Sequence, residues 1–318
     1  MSLIERAAQR LDQLKQASAE PSDEALQQAV ARAAEPAAAK AAPVPEPASV
    51  SEAPPQAAAA AQPAHASRGV YIDLAMLEAK GMVTPDRPRS AIAEEYRVIK
   101  RPLLRNATDT SEARIENANL IMITSAMPGE GKTFSAINLA VSMAMELDYT
   151  VLLVDADVSR PSVFRQLGLP PERGLMDVLA GDVTDLGDVL LRTNIEKLSI
   201  LPAGMPHARA TELLASENMN RLLKQMATRY SDRIIIFDSP PLLVTTESRV
   251  LATHMGQVVV VVEAERTTHA SIKQALATIE SCPIKLMMLN KARRQSHGSY
   301  YGYGYGYGYG ETARENAA

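Results

Sequence analysis

The sequence predicts an α/β fold: a doubly wound, mostly parallel sheet with helices packed on it. Three observations carry that expectation. Short apolar runs alternate with helical stretches between residues 120 and 290. Several of the runs are apolar without interruption, as strands buried on both faces of a parallel sheet are. Most end in a polar or charged residue, and folds of this kind bind ligands at the carboxyl ends of their strands.

Size and charge bound the rest. A chain of 318 residues has room for one substantial α/β domain plus extra segments. With 33 basic and 37 acidic residues the formal charge is -4, so nothing global argues for binding nucleic acid or coating an anionic membrane. The one cysteine, Cys282, allows no intrachain disulfide and fits a reducing compartment. The five histidines (65, 207, 254, 269 and 297) show no metal-ligand spacing. No run approaches the ~18–20 apolar residues of a membrane span. The first residues, Met1-Ser-Leu-Ile-Glu-Arg6, carry charge where a signal peptide has its apolar core. The expected location is cytoplasmic, with any attachment to the inner membrane made through a partner.

Four regions follow along the chain. Residues 1–19 hold Ile4, Ala7, Leu11 and Leu14 at helical spacing, a short amphipathic helix suited to docking or oligomerisation, or only a nascent helix in a tail. Residues 20–67 are dominated by Ala, Pro, Gln and Glu, and bury too little to offset ordering entropy; they read as a disordered linker. Residues 68–295 form the main domain and 296–318 a flexible tail.

Within the main domain, 90–106 places Ile92, Tyr96, Ile99 and Leu103 on one helical stripe. Glu94, Arg97, Lys100 and Arg101 fall on its other faces, and Pro102 is expected to kink or end the first part. A polar connector covers 108–118. Strands are expected at 120–124, 150–154, 198–201, 233–237, 257–262 and 285–289. Helices are expected at 134–145, 211–230, 246–254 and 268–281.

Between the strand at 120–124 and the helix at 134–145 lies Ser125-Ala-Met-Pro-Gly-Glu-Gly-Lys-Thr133. Strand, glycine-bearing loop with Gly-Lys-Thr, then helix is the context of a Walker A loop. Gly129 and Gly131 let backbone N–H groups curl around phosphate oxygens, and the helix start adds its dipole. Lys132 would reach the β- and γ-phosphates, and the Thr133 hydroxyl would ligate Mg²⁺. Ala126 replaces the first glycine of the usual pattern.

Two acidic strand ends complete the set. Asp238 follows Ile-Ile-Ile-Phe, as a Walker B aspartate that holds Mg²⁺ does. Asp155 and Asp157, two apart at a strand end, can face one pocket, one assisting the metal and one accepting a proton from an attacking hydroxyl. The plainer reading of this pair is a helix N-cap with a salt bridge to Arg160.

The segment Asp155-Ala-Asp157 followed by Arg160-Pro161 resembles the Walker A′ motif of bacterial tyrosine kinases. These are deviant P-loop ATPases of the ParA/MinD type. The likeness extends to Ala126-Met-Pro-Gly-Glu-Gly-Lys-Thr133, to Phe237-Asp-Ser-Pro-Pro241 and to Leu201-Pro-Ala-Gly204 with Thr211-Glu-Leu-Leu214. It covers roughly residues 85–310 and is strongest toward the tyrosine autokinases of exosortase and exopolysaccharide loci, which share a Met-Ser-Leu-Ile-Glu start. The resemblance implies ATP and Mg²⁺ as cofactors. Pro128, Gly129, Glu130, Gly131, Lys132, Thr133 and Phe134 would form the nucleotide loop, and Asn290 would contact adenine. Thr133, Asp157 and Asp238 would hold Mg²⁺. Lys132, Asp155, Asp157 and Asp238 would be the catalytic set, with Asp155 the base toward a tyrosine hydroxyl. Glu94, Arg97 and Lys100 would form an oligomerisation helix, Lys100 standing where the family has arginine. Ser159 stands where many members have a basic residue.

The resemblance also implies partners: further copies in a ring, a membrane chain-length-determinant or polysaccharide co-polymerase protein, and a tyrosine phosphatase. The tail carries six of the ten tyrosines, Tyr300, Tyr301, Tyr303, Tyr305, Tyr307 and Tyr309, separated mostly by glycine. Such a segment suits a repeatedly phosphorylated acceptor, and six phosphates would add roughly -9 to -12 charge. Taken alone it reads as a sticky low-complexity segment. Two other functions stay open at this point: a ParA/MinD-like ATPase switch without kinase activity, and a scaffold that binds nucleotide without turning it over.

Overall fold

A computed structural model of the chain describes residues 68–111, 114–229 and 233–292. The expected short helix at 1–19, the linker at 20–67 and the tyrosine tail at 296–318 lie outside the described residues.

Among the described residues eight strands form one sheet. They are β1 (Gly69–Val70), β2 (Leu120–Ser125), β3 (Thr150–Asp155), β4 (Leu191–Thr193), β5 (Leu198–Leu201), β6 (Arg233–Asp238), β7 (Gln257–Glu263) and β8 (Ile284–Asn290). Their order is β1-β4-β5-β3-β6-β2-β7-β8, and every pair is parallel except β4 with β5. Helices α1 (Leu74–Ala79), α2 (Ala91–Ala107), α3 (Lys132–Ala144), α4 (Val163–Leu167), α5 (Leu175–Ala180), α6 (Ala210–Leu214), α7 (Glu217–Arg229), α8 (Glu247–Ala252) and α9 (His269–Ala277) fill the intervals.

Two cores flank the sheet, and strand alternation sorts residues between them. On one side Ile121, Ile123, Val151, Leu153 and Ile236 pack with Ile137, Leu139 and Val141 of α3 and with Leu103 and Leu104 of α2. On the other, Leu120, Met122, Leu152, Val154 and Phe237 pack with residues of α5, α7 and α8. All six residues of β2 are buried, as the unbroken apolar run requires.

Strand order positions the site. Because β6 lies between β3 and β2, three carboxyl ends stand side by side. Asp155 is the register partner of Asp238, and Asp238 in turn pairs with Ile123, two residues before the phosphate loop begins. Neighbouring strands are about 4.8 Å apart, so side chains far apart in sequence converge on one small volume.

The structure departs from the sequence expectations in several places. The two short strands β1 and β4 and the helices α1, α4 and α5 go unforeseen, since segments of two to six residues carry no legible period. The helix expected over 211–230 is two helices. Ser216 Oγ accepts the Met219 N–H at 3.3 Å and starts the second, an N-cap of the usual kind. The helix over 91–107 runs through Pro102 without ending. The carbonyl that loses its bond there belongs to Val98, whose side chain is 71 % exposed, so water can take the place of the missing N–H.

Lys100 also differs. It is not on the exposed face with Glu94 and Arg97 but 5 % exposed, its ammonium donating to the Ser142 carbonyl at 2.5 Å and pairing with Glu146 at 2.7 Å. A cation at the last carbonyls of α3 satisfies acceptors that the helix leaves open and opposes the negative end of its dipole. Glu94 and Arg97 pair with each other at 2.5 Å along α2, and Arg97 also reaches the Pro88 carbonyl at 3.0 Å.

Candidate nucleotide and phosphoryl-transfer site

The loop between β2 and α3 is held from within and from behind. Gly129 and Gly131 have φ of 87° and 100°, left-handed values at which a side chain is strained. At Gly131 a Cβ would also lie 2.0 Å from the Asn290 amide nitrogen. That amide donates to the Glu130 carbonyl at 3.0 Å, and Lys291 donates to the Gly129 carbonyl at 2.7 Å while pairing with Glu263 at 3.1 Å. The buried Glu130 carboxylate accepts the Met127 N–H at 2.9 Å and the Thr267 hydroxyl. Glu130 and Asn290 are thus committed to the loop's own shape, and neither lines the adjoining cavity.

In front of the loop the expected polar groups meet. Lys132 Nζ lies 2.6 Å from Asp157 and 3.9 Å from Asp238. Thr133 Oγ1 donates to Asp238 at 2.7 Å and shares a hydrogen bond with Ser162 Oγ at 2.8 Å. The remaining carboxylate oxygen of Asp238, Oδ1, is buried without a hydrogen-bond partner. A buried carboxylate oxygen without a partner is costly unless a cation or water meets it. Among the described residues no cluster of three or more His, Cys, Asp or Glu side chains could hold a metal. Mg²⁺ bound to phosphates needs only one or two carboxylates, which this set provides.

Asp155 is 1 % exposed and is held by three backbone donors: Asp157 N at 3.3 Å, Ser162 N at 3.1 Å and Val163 N at 3.0 Å. It therefore fixes the start of α4, as the plainer reading of the pair anticipates. The Asp157 carboxylate accepts the Arg160 backbone N–H at 3.2 Å and pairs with Lys132, not with the Arg160 side chain. The two aspartates were expected to face one pocket and instead face adjoining ones. Asp157 lines a cavity of about 530 Å³ with Gly129, Gly131, Lys132, Thr133 and Phe134. Asp155 lines a second of about 480 Å³.

Electrostatics follow from burial. Desolvation pushes Asp155 up to about 7, helped by the Asp238 charge and opposed by the backbone N–H bonds. Desolvation likewise raises Asp238 to about 6, against the lowering by Lys132 and Thr133. Burial pulls Lys132 down, but Asp238, Asp157 and Asp155 outweigh it and leave it raised. Three carboxylates around one ammonium make a site that favours a further cation.

Sequence reasoning singles out Lys132, Thr133, Asp157 and Asp238, and the fold brings them together. It misses Ser162 and Thr267, hydroxyl residues whose partners are far away in sequence. It expects adenine at Asn290, which the structure places against the loop backbone.

A lysine and a threonine opening a helix behind a glycine loop, opposite a strand-end aspartate, define a P-loop nucleotide-binding protein. Comparison with known proteins narrows the class. Residues 118–291 match the family described as an AAA domain. Tyrosine-protein kinase YwqD of Bacillus subtilis is 31% identical over 228 residues, covering 70% of this chain and 92% of that protein. The putative tyrosine-protein kinase CapB of Staphylococcus aureus is 28% identical over 232 residues, 71% of this chain and 97% of CapB. Among solved structures, the kinase domain of the Escherichia coli tyrosine kinase ETK superposes with a TM-score of 0.59 at 29% identity, covering 70% of this chain and 84% of that one. The chain belongs to the bacterial tyrosine kinase family.

Proposed function

We propose that the protein is an ATP-dependent tyrosine autokinase that phosphorylates its own C-terminal tyrosines, Tyr300 to Tyr309. The observation that carries the reading is the constellation of Lys132, Thr133, Asp157 and Asp238 at the phosphate loop, with Asp238 Oδ1 buried and without a hydrogen-bond partner. Thr133, Asp157 and Asp238 would hold Mg²⁺, which when bound neutralises charge on the phosphates. Lys132 leaves its ion pair with Asp157 to contact the β- and γ-phosphates. The loop backbone from Pro128 to Gly131 cradles them, and Phe134 lines the same cavity. Asp155 takes the proton of the acceptor hydroxyl. Catalysis is then mostly positioning and charge neutralisation.

The regulatory part of the proposal rests on the family resemblance. The kinase controls exopolysaccharide synthesis or export, assembles with further copies of itself through Glu94 and Arg97, and is activated by a membrane chain-length-determinant protein. A phosphatase resets it. It acts in the cytoplasm, beside the inner membrane. Among the described residues no helix is long and apolar enough to cross a membrane.

Intact-mass spectrometry after incubation with ATP and Mg²⁺ tests the reading. Wild type should gain a ladder of phosphates that maps to the tail. Lys132→Met and a variant with all six tail tyrosines changed to Phe should gain none. A ladder that persists in the tail variant would place the acceptors elsewhere, and no ladder in wild type, even with a membrane partner's cytoplasmic segment added, would refute the kinase assignment.

A further inference from the structure

The described sheet ends in β1 on one side and β8 on the other. β1 is two residues long, whereas β8 is seven, and no described strand pairs with its outer side. The Asn290 carbonyl accepts the Ala264 N–H at 2.9 Å, so the backbone groups of Asn290, Met288 and Leu286 turn toward β7. Those of Lys285, Met287 and Leu289 turn outward, a row of donors and acceptors open to a further strand. The same three residues share one sheet face. They stand beside Val258, Val260 and Val262 of β7, which are buried in one core with Ala275 of α9. That cover stops short of β8: Met287 is 62 % exposed and Leu289 64 %. Lys285 folds its ammonium back onto the Glu280 and Cys282 carbonyls, at 3.1 and 2.7 Å, which leaves the apolar pair as the accessible surface.

We propose that this edge docks the chain's own unphosphorylated tail, the Tyr-Gly repeat adding to β8 as an antiparallel strand. Two features point to the tail. Tyr301, Tyr303, Tyr305, Tyr307 and Tyr309 alternate with glycine, so an extended backbone puts five rings on one side, the period of a strand. The chain also leaves the described domain at the end of β8 itself, and residues 291–299 suffice to turn it back alongside. A tyrosine directly opposite Met287 or Leu289 exchanges both backbone bonds with it and lays its ring on the same apolar side. Sulfur–aromatic contact with Met287 adds to the pairing.

The docking is built to be reversible. Glycines weaken a strand, and a repeat of period two has no single register. Three outward positions meet five rings, so some tyrosines remain free at any time. Phosphorylation then ends the docking. Each phosphate brings about -1.5 to -2 charge to a ring lying on apolar surface, where desolvation disfavours it. The docking follows from the geometry of β8 and the pattern of the tail, while its release rests on the autokinase reading.

Amide hydrogen exchange of the full chain, read at Lys285, Met287 and Leu289, tests both parts. Without ATP these amides should exchange about tenfold or more slowly in unphosphorylated wild type than in a variant carrying Tyr303→Pro, Tyr305→Pro and Tyr307→Pro, which removes N–H donors that the pairing needs. Met287→Lys, at an exposed position, should lose the protection at Lys285 and Leu289 with Tm unchanged. The variant with all six tail tyrosines changed to Phe should keep it with or without ATP and Mg²⁺, while wild type should lose it as phosphate is incorporated. Equal exchange in wild type and the proline variant would overturn the docking. Protection that fades on dilution would give the edge to the tail of another copy and overturn the assignment to the chain's own. Protection that survives full phosphorylation would overturn the release. A wild-type chain that takes up no phosphate refutes the kinase reading and the release with it, and the comparison without ATP still decides the docking.

Discussion

Asp238 holds the most exacting position at the residue scale. One of its oxygens accepts from Thr133, and the other is buried with no hydrogen-bond partner, the Lys132 ammonium standing 3.9 Å away. A cation beside that oxygen should therefore gain more here than at an exposed carboxylate. Asp238→Asn is expected to abolish the tightening of nucleotide affinity by Mg²⁺ in a calorimetric titration, while affinity without Mg²⁺ stays the same or improves. An equal Mg²⁺ effect in variant and wild type would remove Asp238 from the metal. A second prediction concerns pH. Asp155 and Asp238 are raised to about 7 and about 6 from the ordinary 3.8, chiefly by burial. Folded, both bind protons more tightly than unfolded, so their contribution to stability is full at low pH and is lost as pH rises through those values. The Tm of nucleotide-free protein should fall between about pH 5 and pH 8 by linkage, and Asp155→Asn should flatten that decline. A Tm that climbs over the same range would contradict the burial account. Lys132, Thr133 and Asp238 were legible in the sequence because their chemistry is tied to local strand–loop–helix context. Ser162 and Thr267 were not, because a hydroxyl's value depends on which remote side chain it meets: Thr133 for Ser162 and Glu130 for Thr267.

At the scale of elements, α2 separates two roles that a single motif had merged. Glu94 and Arg97 pair on the exposed part of the helix, whereas Lys100 is buried against the end of α3. Removing Lys100 leaves the Ser142 carbonyl without its donor and Glu146 without its cation. Lys100→Ala should cost about 1–3 kcal/mol in denaturant unfolding. Arg97→Ala should leave unfolding nearly unchanged, since its ion pair is solvent-screened, and should act on assembly instead. Sedimentation velocity on both variants checks this, and an Arg97 variant that unfolds as readily as the Lys100 variant would contradict it. The helical period of 90–106 disclosed a buried stripe, but period alone could not tell that a long cation bends back into the core. The same limit explains Pro102. Its effect depends on whether the orphaned carbonyl can reach water, and Val98 lies on the exposed side of the helix. The division of α6 from α7 at Ser216 was readable in principle from a capping serine, yet an apolar run on either side outweighed it.

At the scale of the whole molecule, strand order does the positioning. Placing β6 between β3 and β2 sets Asp155 beside Asp238 and both beside the phosphate loop, although Asp238 lies 83 residues after Asp155 in the chain. Strand existence and the ligand-bearing edge followed from uninterrupted apolar runs that end in acids. The order of the strands did not, nor did the antiparallel β4, because pairing is decided by which faces need cover and not by any local signal. On the far side of the loop, Asn290 at the end of β8 and Lys291 just after it bond the backbone of Glu130 and Gly129, so the sheet edge and the nucleotide loop are one mechanical unit. A tyrosine kinase built on this unit passes the γ-phosphoryl group of ATP to tyrosine and does not merely hydrolyse ATP. The most direct test counts products: ADP and phosphotyrosine formed together over a single time course from unphosphorylated protein with ATP and Mg²⁺. Close to one phosphotyrosine should form for each ADP during the initial phase, with both absent in Lys132→Met. ADP accumulating without phosphotyrosine would contradict it and mark the protein as a nucleotide-hydrolysing switch.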